Sequence, residues 1–265
     1  MGKIITVCNQ KGGTGKTTSA INLAAYLALA GKKVLLVDLD PQANATSGSG
    51  INKHSITKST YHVLLEEMDI KEILQPTAIS NLYLAPSNLD LTGAEIELVS
   101  ALGREYRLKR ALIKERDNFD FIIIDSPPSL GLLTINALCA ADSVLVPVQC
   151  EYYALEGVSQ LIHTIKLVKD NLNPDLAIEG VLLTMADFRT NLTKEVVQEV
   201  KNHFKEKVYQ TIIPRSIRLT EAPSYGKPVA LYDKDSLGAK KYEDLAKEVL
   251  GLKLSNLSLE IVEGE

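Results

Sequence analysis

Two kinds of hydrophobic spacing alternate along the chain. Short apolar runs bounded by polar turns recur at Ile4–Cys8, Val34–Asp38, Leu82–Ala85, Phe121–Asp125, Ser143–Val148, Ile178–Thr184 and Val208–Ile213, several rich in β-branched residues. Such unbroken runs predict strands buried on both faces. Between them the spacing becomes helical. Val158, Leu161, Ile162, Ile165 and Val168 form one stripe, Val196, Val197, Val200 and Phe204 another, and Tyr242, Leu245, Ala246, Val249 and Leu250 a third. The alternation predicts an α/β fold: a doubly wound, mostly parallel sheet with helices on both faces, binding ligands beyond the carboxyl ends of its strands.

The chain has 265 residues, 45% of them hydrophobic, enough to bury a substantial core as one domain. That domain is expected to span residues 1–254, followed by an acidic, loosely held tail at 255–265. The polar stretch Asn44–Gly50 reads as a surface loop. With 29 basic and 33 acidic residues the net charge is -4, so any nucleic-acid contact must come from a local patch. Cys8, Cys139 and Cys150 lack C-x-x-C spacing and fall in apolar elements, which predicts reduced, buried thiols and a cytoplasmic protein. No apolar run is long enough to cross a bilayer, and the N-terminus lacks a secretory pattern.

Candidate chemistry begins just after the first run. Lys11-Gly12-Gly13-Thr14-Gly15-Lys16-Thr17-Thr18 departs from the ordinary phosphate loop, because Gln10 stands where its first glycine belongs and an extra lysine, Lys11, lies near the start. The physics still calls for a nucleotide. Glycines let the backbone curl until successive N–H groups point inward, and the following helix adds the positive end of its dipole. Lys16 would neutralise phosphates, and the Thr17 hydroxyl would ligate the Mg²⁺ that bridges them. The bland alternative, a glycine-rich turn with two solvated lysines, does not explain why strand, glycines, Gly-Lys-Thr and apolar helix occur in this order.

Two further strand ends carry carboxylates. Asp38 and Asp40 lie two residues apart, which aims both the same way if the extension persists, one for the metal and the other for a water. The run Phe121–Asp125 ends in a carboxylate before a proline-rich turn, the form of a Walker B element, with Asp125 holding Mg²⁺ directly or through water. An apolar strand ending in Asp is common by itself; its company gives it weight.

Five segments together resemble the ParA/Soj-type partitioning ATPases, the deviant Walker A group of P-loop NTPases. They are Lys11–Thr18, Asp38–Gln42, Asp125–Gly131, Pro147–Gly157 and Glu221–Pro228, and the similarity runs from about residue 2 to about residue 250. The resemblance implies an ATP- and Mg²⁺-dependent homodimer in which two subunits trap both nucleotides and Lys11 reaches the partner's phosphates. It further implies that Asp40 positions the attacking water, that Asp38 and Asp125 support the metal ligated by Thr17, and that Pro214 and Arg215 line the adenine. Thr14 departs from the valine common in relatives, at the loop's variable place.

A DNA surface is weaker in the residues alone. From Lys201 to Lys227 six basic residues face two acidic ones, an excess of four, but a charge run is usually a solvated face. The resemblance points to Arg189 and Arg218, with Lys227 and Lys247 as further candidates, for sequence-independent contact with double-stranded DNA, hence a nucleoid-associated location. It also implies a ParB/Spo0J-type centromere-binding partner. Three rivals stay open: a MinD-like membrane-cycling ATPase, an ATP-dependent metabolic ligase or metal-cluster carrier, and a non-catalytic binding module. The first needs a basic amphipathic C-terminal helix, whereas residues 253–265 carry one lysine against three glutamates. No stable membrane association is expected.

Overall fold

A computed structural model describes residues 1–151 and 154–252, with residues 154–157 by their backbone only. The strands are β1 (Lys3–Val7), β2 (Val34–Asp38), β3 (Gln75–Pro76), β4 (Leu82–Ala85), β5 (Phe121–Asp125), β6 (Ser143–Gln149), β7 (Ala177–Ala186) and β8 (Val208–Pro214). The helices are α1 (Lys16–Leu29), α2 (Asn44–Gly48), α3 (Thr60–Leu65), α4 (Leu91–Glu97), α5 (Arg107–Glu115), α6 (Leu132–Ala140), α7 (Ala154–Asn171), α8 (Asn191–Phe204), α9 (Ile217–Glu221), α10 (Val229–Tyr232) and α11 (Leu237–Val249).

One eight-stranded sheet runs in the order β3-β4-β2-β5-β1-β6-β7-β8. Its pairings are parallel except that of β3 with β4. Alternate strand residues enter two separate cores. Ile4, Leu35, Val37, Ile122, Ile124, Val144 and Val146 pack with α3 to α8, whereas Ile5, Val7, Leu36, Ile123 and Leu145 pack with α1, α10 and α11. A sheet with two dry faces needs apolar residues at every position, which is why β2 and β5 read as unbroken runs. The three helical stripes face inward, with Val158, Leu161, Ile165 and Val168 of α7 all buried.

One strand escapes the apolar pattern and one expectation fails. The edge pair β3 was not visible, because two residues including Pro76 carry no strand signal of their own. The stretch Asn44–Gly50 is not a surface loop: α2 occupies it, and Ala45 and Thr46 are fully buried. The expected tail at 255–265 lies outside the described residues.

The register fixes where chemistry can occur. Val7 of β1 and Asp38 of β2 both pair with Asp125 of β5, so the phosphate loop and both strand-end carboxylates leave the sheet at one level. Strand β1 lies between β5 and β6, where the connections diverge to opposite sides, the place at which folds of this kind bind ligands.

Candidate nucleotide site

Asn9 sets the start of the loop. Buried after β1, its Nδ2 donates to the Pro147 carbonyl at 2.6 Å and its Oδ1 accepts from the Lys11 N–H at 3.0 Å. Gly13 and Gly15 then take φ of 74° and 84°, a left-handed conformation that costs glycine nothing. Gly15 caps α1, whose first turn holds no acidic residue, so its positive end and free N–H groups face the loop. From the other side the Thr184 hydroxyl donates to the Thr14 carbonyl at 2.9 Å, tying β7 to the loop. Gly12 and Gly13 stay exposed, with Thr17 and Thr18 half-buried.

The two lysines occupy unlike settings. Lys16 is buried, and its Nζ donates to the Lys11 carbonyl at 3.1 Å. Burial lowers its pKa, with the nearby Asp125 carboxylate opposing the shift. The Lys11 side chain is 39% exposed and its Nζ lies 3.3 Å from Glu151 Oε2 of the same subunit. Glu151 also accepts from Gln149 Nε2 at 2.6 Å, and Arg215 approaches it to 3.9 Å.

Asp38, Asp40 and Asp125 divide the carboxylate work. The Asp38 Oδ2 accepts from the Thr46 N–H at 2.8 Å and the Thr46 hydroxyl at 2.7 Å, while its Oδ1 accepts from the Asp40 N–H at 3.1 Å. Its carboxyl is pushed up to about 6 by burial, with the Thr46 bonds pulling back. Asp38 therefore anchors α2 and the turn into Asp40. Asp40 sits beyond that turn, 7% exposed, its Oδ1 accepting from the Gln42 N–H at 2.9 Å. Asp125 is fully buried, yet neither of its oxygens has a hydrogen-bond partner. Burial, then the Asp38 charge, raises its pKa well above the usual carboxylate range; Thr17 and Lys16 oppose that shift without forming an ordinary hydrogen bond to it.

Two orphaned oxygens in a buried carboxylate are what a cation or its water shell would satisfy. No cluster of three His, Cys, Asp or Glu ligands exists among the described residues. Mg²⁺ takes one or two protein ligands and completes its shell with waters and phosphate oxygens.

Beside the loop lies a cavity of about 570 Å³. Its lining includes Gly15, Thr18, Met185, Ile213, Pro214 and Leu219. Arg215 also lines it, its backbone N–H donating to the Ala186 carbonyl at 3.0 Å. Met185 has φ of 53°, left-handed backbone that a residue of this size enters at about 1–3 kcal/mol.

The structure thus gathers Lys11 to Thr18, Asp38, Asp40, Asp125, Pro214 and Arg215 at one sheet edge. Sequence reasoning missed Asn9, Thr46, Glu151, Thr184 and Met185. Thr184 and Met185 were within reach of the rule that ligands meet strand ends, since both close β7. Thr46 gave no signal, lying in a stretch whose composition mimics a loop.

The basic candidates sit on separate elements and are mostly engaged. Arg189, after β7, forms a two-pronged contact with Asp187 at 2.8 and 2.7 Å. Arg218 of α9 meets Glu221 at 2.9 Å and Asp233 at 3.2 Å, and Lys247 of α11 meets Glu243 at 2.7 Å. Lys227 is exposed, with no ion pair among the described residues.

A sequence model described as an AAA domain matches residues 2–178. The chain is 61% identical over 249 residues to the sporulation initiation inhibitor protein Soj of Bacillus subtilis, covering 94% of this chain and 98% of that protein. It is 57% identical to the chromosome partitioning protein ParA of Myxococcus xanthus, covering 94% of this chain and 88% of the relative. Among solved structures, cobyrinic acid a,c-diamide synthase from Mycobacterium smegmatis with bound ADP and magnesium superposes with a TM-score of 0.83 at 40% identity, covering 94% of each chain. With the altered phosphate loop, the orphaned strand-end carboxylate and near full-length identity in agreement, the chain belongs to the ParA/Soj family of partitioning ATPases.

Proposed function

We propose that this chain hydrolyses ATP with Mg²⁺ to drive the segregation of a chromosome or plasmid. The observation that carries this reading is Asp125: a fully buried carboxylate with two unpaired oxygens, one strand from the phosphate loop and in register with its start. Thr17 would hold the ion directly and Asp125 through its waters, and the ion would supply neutralisation of the phosphate charge. Asp38 belongs behind them, since Thr46 and Asp40 take most of its capacity. That assigns it to positioning α2 and Asp40 rather than to direct ligation.

Catalysis in this proposal needs two subunits. Lys16 leaves the Lys11 carbonyl for the phosphates, and Lys11 leaves Glu151 to reach its twin's triphosphate. A cation supplied from outside steadies charge during phosphoryl transfer, so hydrolysis follows pairing. Asp40 orients the attacking water. The paired state doubles the surface around Arg189, Arg218, Lys227 and Lys247, which then grips double-stranded DNA through its phosphates without reading bases. Stimulation by a ParB-type partner and separation of the subunits release it. This cycle fits a cytoplasmic protein resident on the nucleoid. No helix among the described residues is long and apolar enough to cross a membrane. The C-terminal segment on which a MinD-like reading depends lies outside the described residues.

The deciding experiment measures ATP turnover with and without non-specific duplex DNA, beside sedimentation of the parent and Asp40→Ala with ATP. The parent should turn over faster on DNA. Asp40→Ala should sediment as a stable dimer with turnover down by about a hundredfold or more. A variant that stays monomeric, or a parent indifferent to DNA, refutes the cycle.

A further inference from the structure

A smaller cavity of about 50 Å³ lies where α3 meets α5, and it shares no residue with the nucleotide cavity. Its lining includes Arg107, Arg110 and Lys114 of α5, Val63 of α3, and Glu67 and Met68 just beyond α3. Spacings of three, four and seven residues put the three cations on one face of the helix, where like charges repel. Lys114 suits the last turn of α5. Arg107 does not suit the first, because it opens the helix at the positive end of the dipole with no acidic residue beside it in that turn.

Too few carboxylates answer these charges. Arg110 and Lys114 are exposed and form no hydrogen bond or ion pair among the described residues. Asp69 lies near the Lys114 charge but is already paired with Lys71 at 3.2 Å. A row of basic residues is usually a solvated face; the burial of Arg107 sets this one apart. Its side chain is only 12% exposed, Glu67 takes one of its five donors, and its Nε is buried with no partner. Such a guanidinium is short of acceptors, at a cost in stability. Glu67 itself sits in left-handed backbone with φ of 54°, and its side chain is 66% exposed. A carboxylate on strained chain facing water is held weakly.

We propose that this cavity is a phosphate site, taking a free phosphate ion or the phosphate monoester of a larger molecule, and that Glu67 is the resident anion that yields its place on Arg107. Two guanidinium forks and an ammonium suit a tetrahedral oxyanion. Three cations and one carboxylate leave an excess of two charges, which a dianion matches. The volume holds one such group and leaves any remainder of the ligand outside.

Backbone amide resonances of the nucleotide-free full chain test this, titrated with inorganic phosphate, with O-phosphoserine, and with sodium chloride at equal ionic strength. Signals of Glu67, Met68 and residues 107–114 should move with phosphate and stay still with chloride. Arg110→Ala removes an exposed side chain without a partner, so the fold is retained, and should weaken phosphate at these signals about tenfold. Glu67→Gln should tighten it about threefold. A response to inorganic phosphate alone identifies the free ion as the ligand, and a response to O-phosphoserine identifies a phosphate carried by a larger molecule. Movement matched by chloride, or an affinity that both variants leave unchanged, overturns the site. Signals of residues 11–18 report the phosphate loop separately, and neither variant should alter their response.

Discussion

The phosphate-loop edge and the basic rim use charge in opposite ways. At the edge, Asp125 is buried and left without a partner, and Lys16 has only a carbonyl to hold. On the rim, Arg189 and Arg218 are at least half-exposed, yet their own carboxylates already hold them. A buried charge without a partner is expensive and persists where a ligand completes it. An exposed charge with a partner is cheap and contributes little to stability. The edge therefore suits a bound cation and phosphates, while under the proposed function the rim would exchange one set of carboxylates for phosphates before gripping DNA.

The sharpest way to break this contrast is Lys11→Ala. Loss of the cation donated between subunits should lower ATP turnover by about a thousandfold, with ADP binding retained by the intact loop. Near-parental turnover would confine Lys11 to its ion pair with Glu151. Next in size is Thr46→Val, which takes the hydroxyl donor from a fully buried carboxylate. A stability loss of about 1–3 kcal/mol is expected from the urea midpoint, and a neutral result would deny Asp38 its anchoring role.

The pH response gives a subtler measure. Asp38 titrates near 3.8 when unfolded and at about 6 when folded, so in that interval the native chain keeps a proton the unfolded chain has released. Stability without ligand should therefore be greatest at the acid end and fall as pH rises through 6. Asp38→Asn should flatten much of that decline, with Asp125, shifted in the same direction, keeping a share. Thermal melts across pH 4 to 7 check this, and a parent that gains stability over the window contradicts it.

Relief of an ion pair on the rim should give the smallest change. Glu221→Gln frees Arg218 from one carboxylate and should tighten DNA binding by about two- to threefold, within the worth of an exposed ion pair; Arg218→Glu should abolish most of it. On the proposed function, two arginines per subunit would make about four phosphate contacts in a dimer, giving a slope near -3.6 in log affinity against log salt. A slope near zero, or DNA affinity intact in Arg218→Glu, moves the interface elsewhere.

The same contrast explains what could be read from the chain alone. Strands β2, β4 and β5 match their apolar runs residue for residue, because two dry faces leave no room for polar positions. The loop, Asp40 and Asp125 were legible for a related reason: phosphate and metal chemistry tie residue types to strand ends at set spacings. Contacts made across long stretches of chain were not. Glu151 meets Lys11 across 140 positions and Thr184 meets Thr14 across 170, and no local pattern encodes either. The basic excess between Lys201 and Lys227 likewise omitted Asp233, which folds back on Arg218 from outside the counted window. Thr46 was hidden by a composition that serves a turn and a short buried helix equally well.

The hold of Glu151 on Lys11 bears on how the proposed engine idles. A subunit by itself keeps its one transferable cation folded against its own body, so a lone molecule with ATP bound is a loaded but silent device. Firing then depends on encounter, and its frequency climbs with the square of local crowding. Molecules gathered along the same stretch of DNA would meet often and spend their fuel there, while those dispersed in solution would wait.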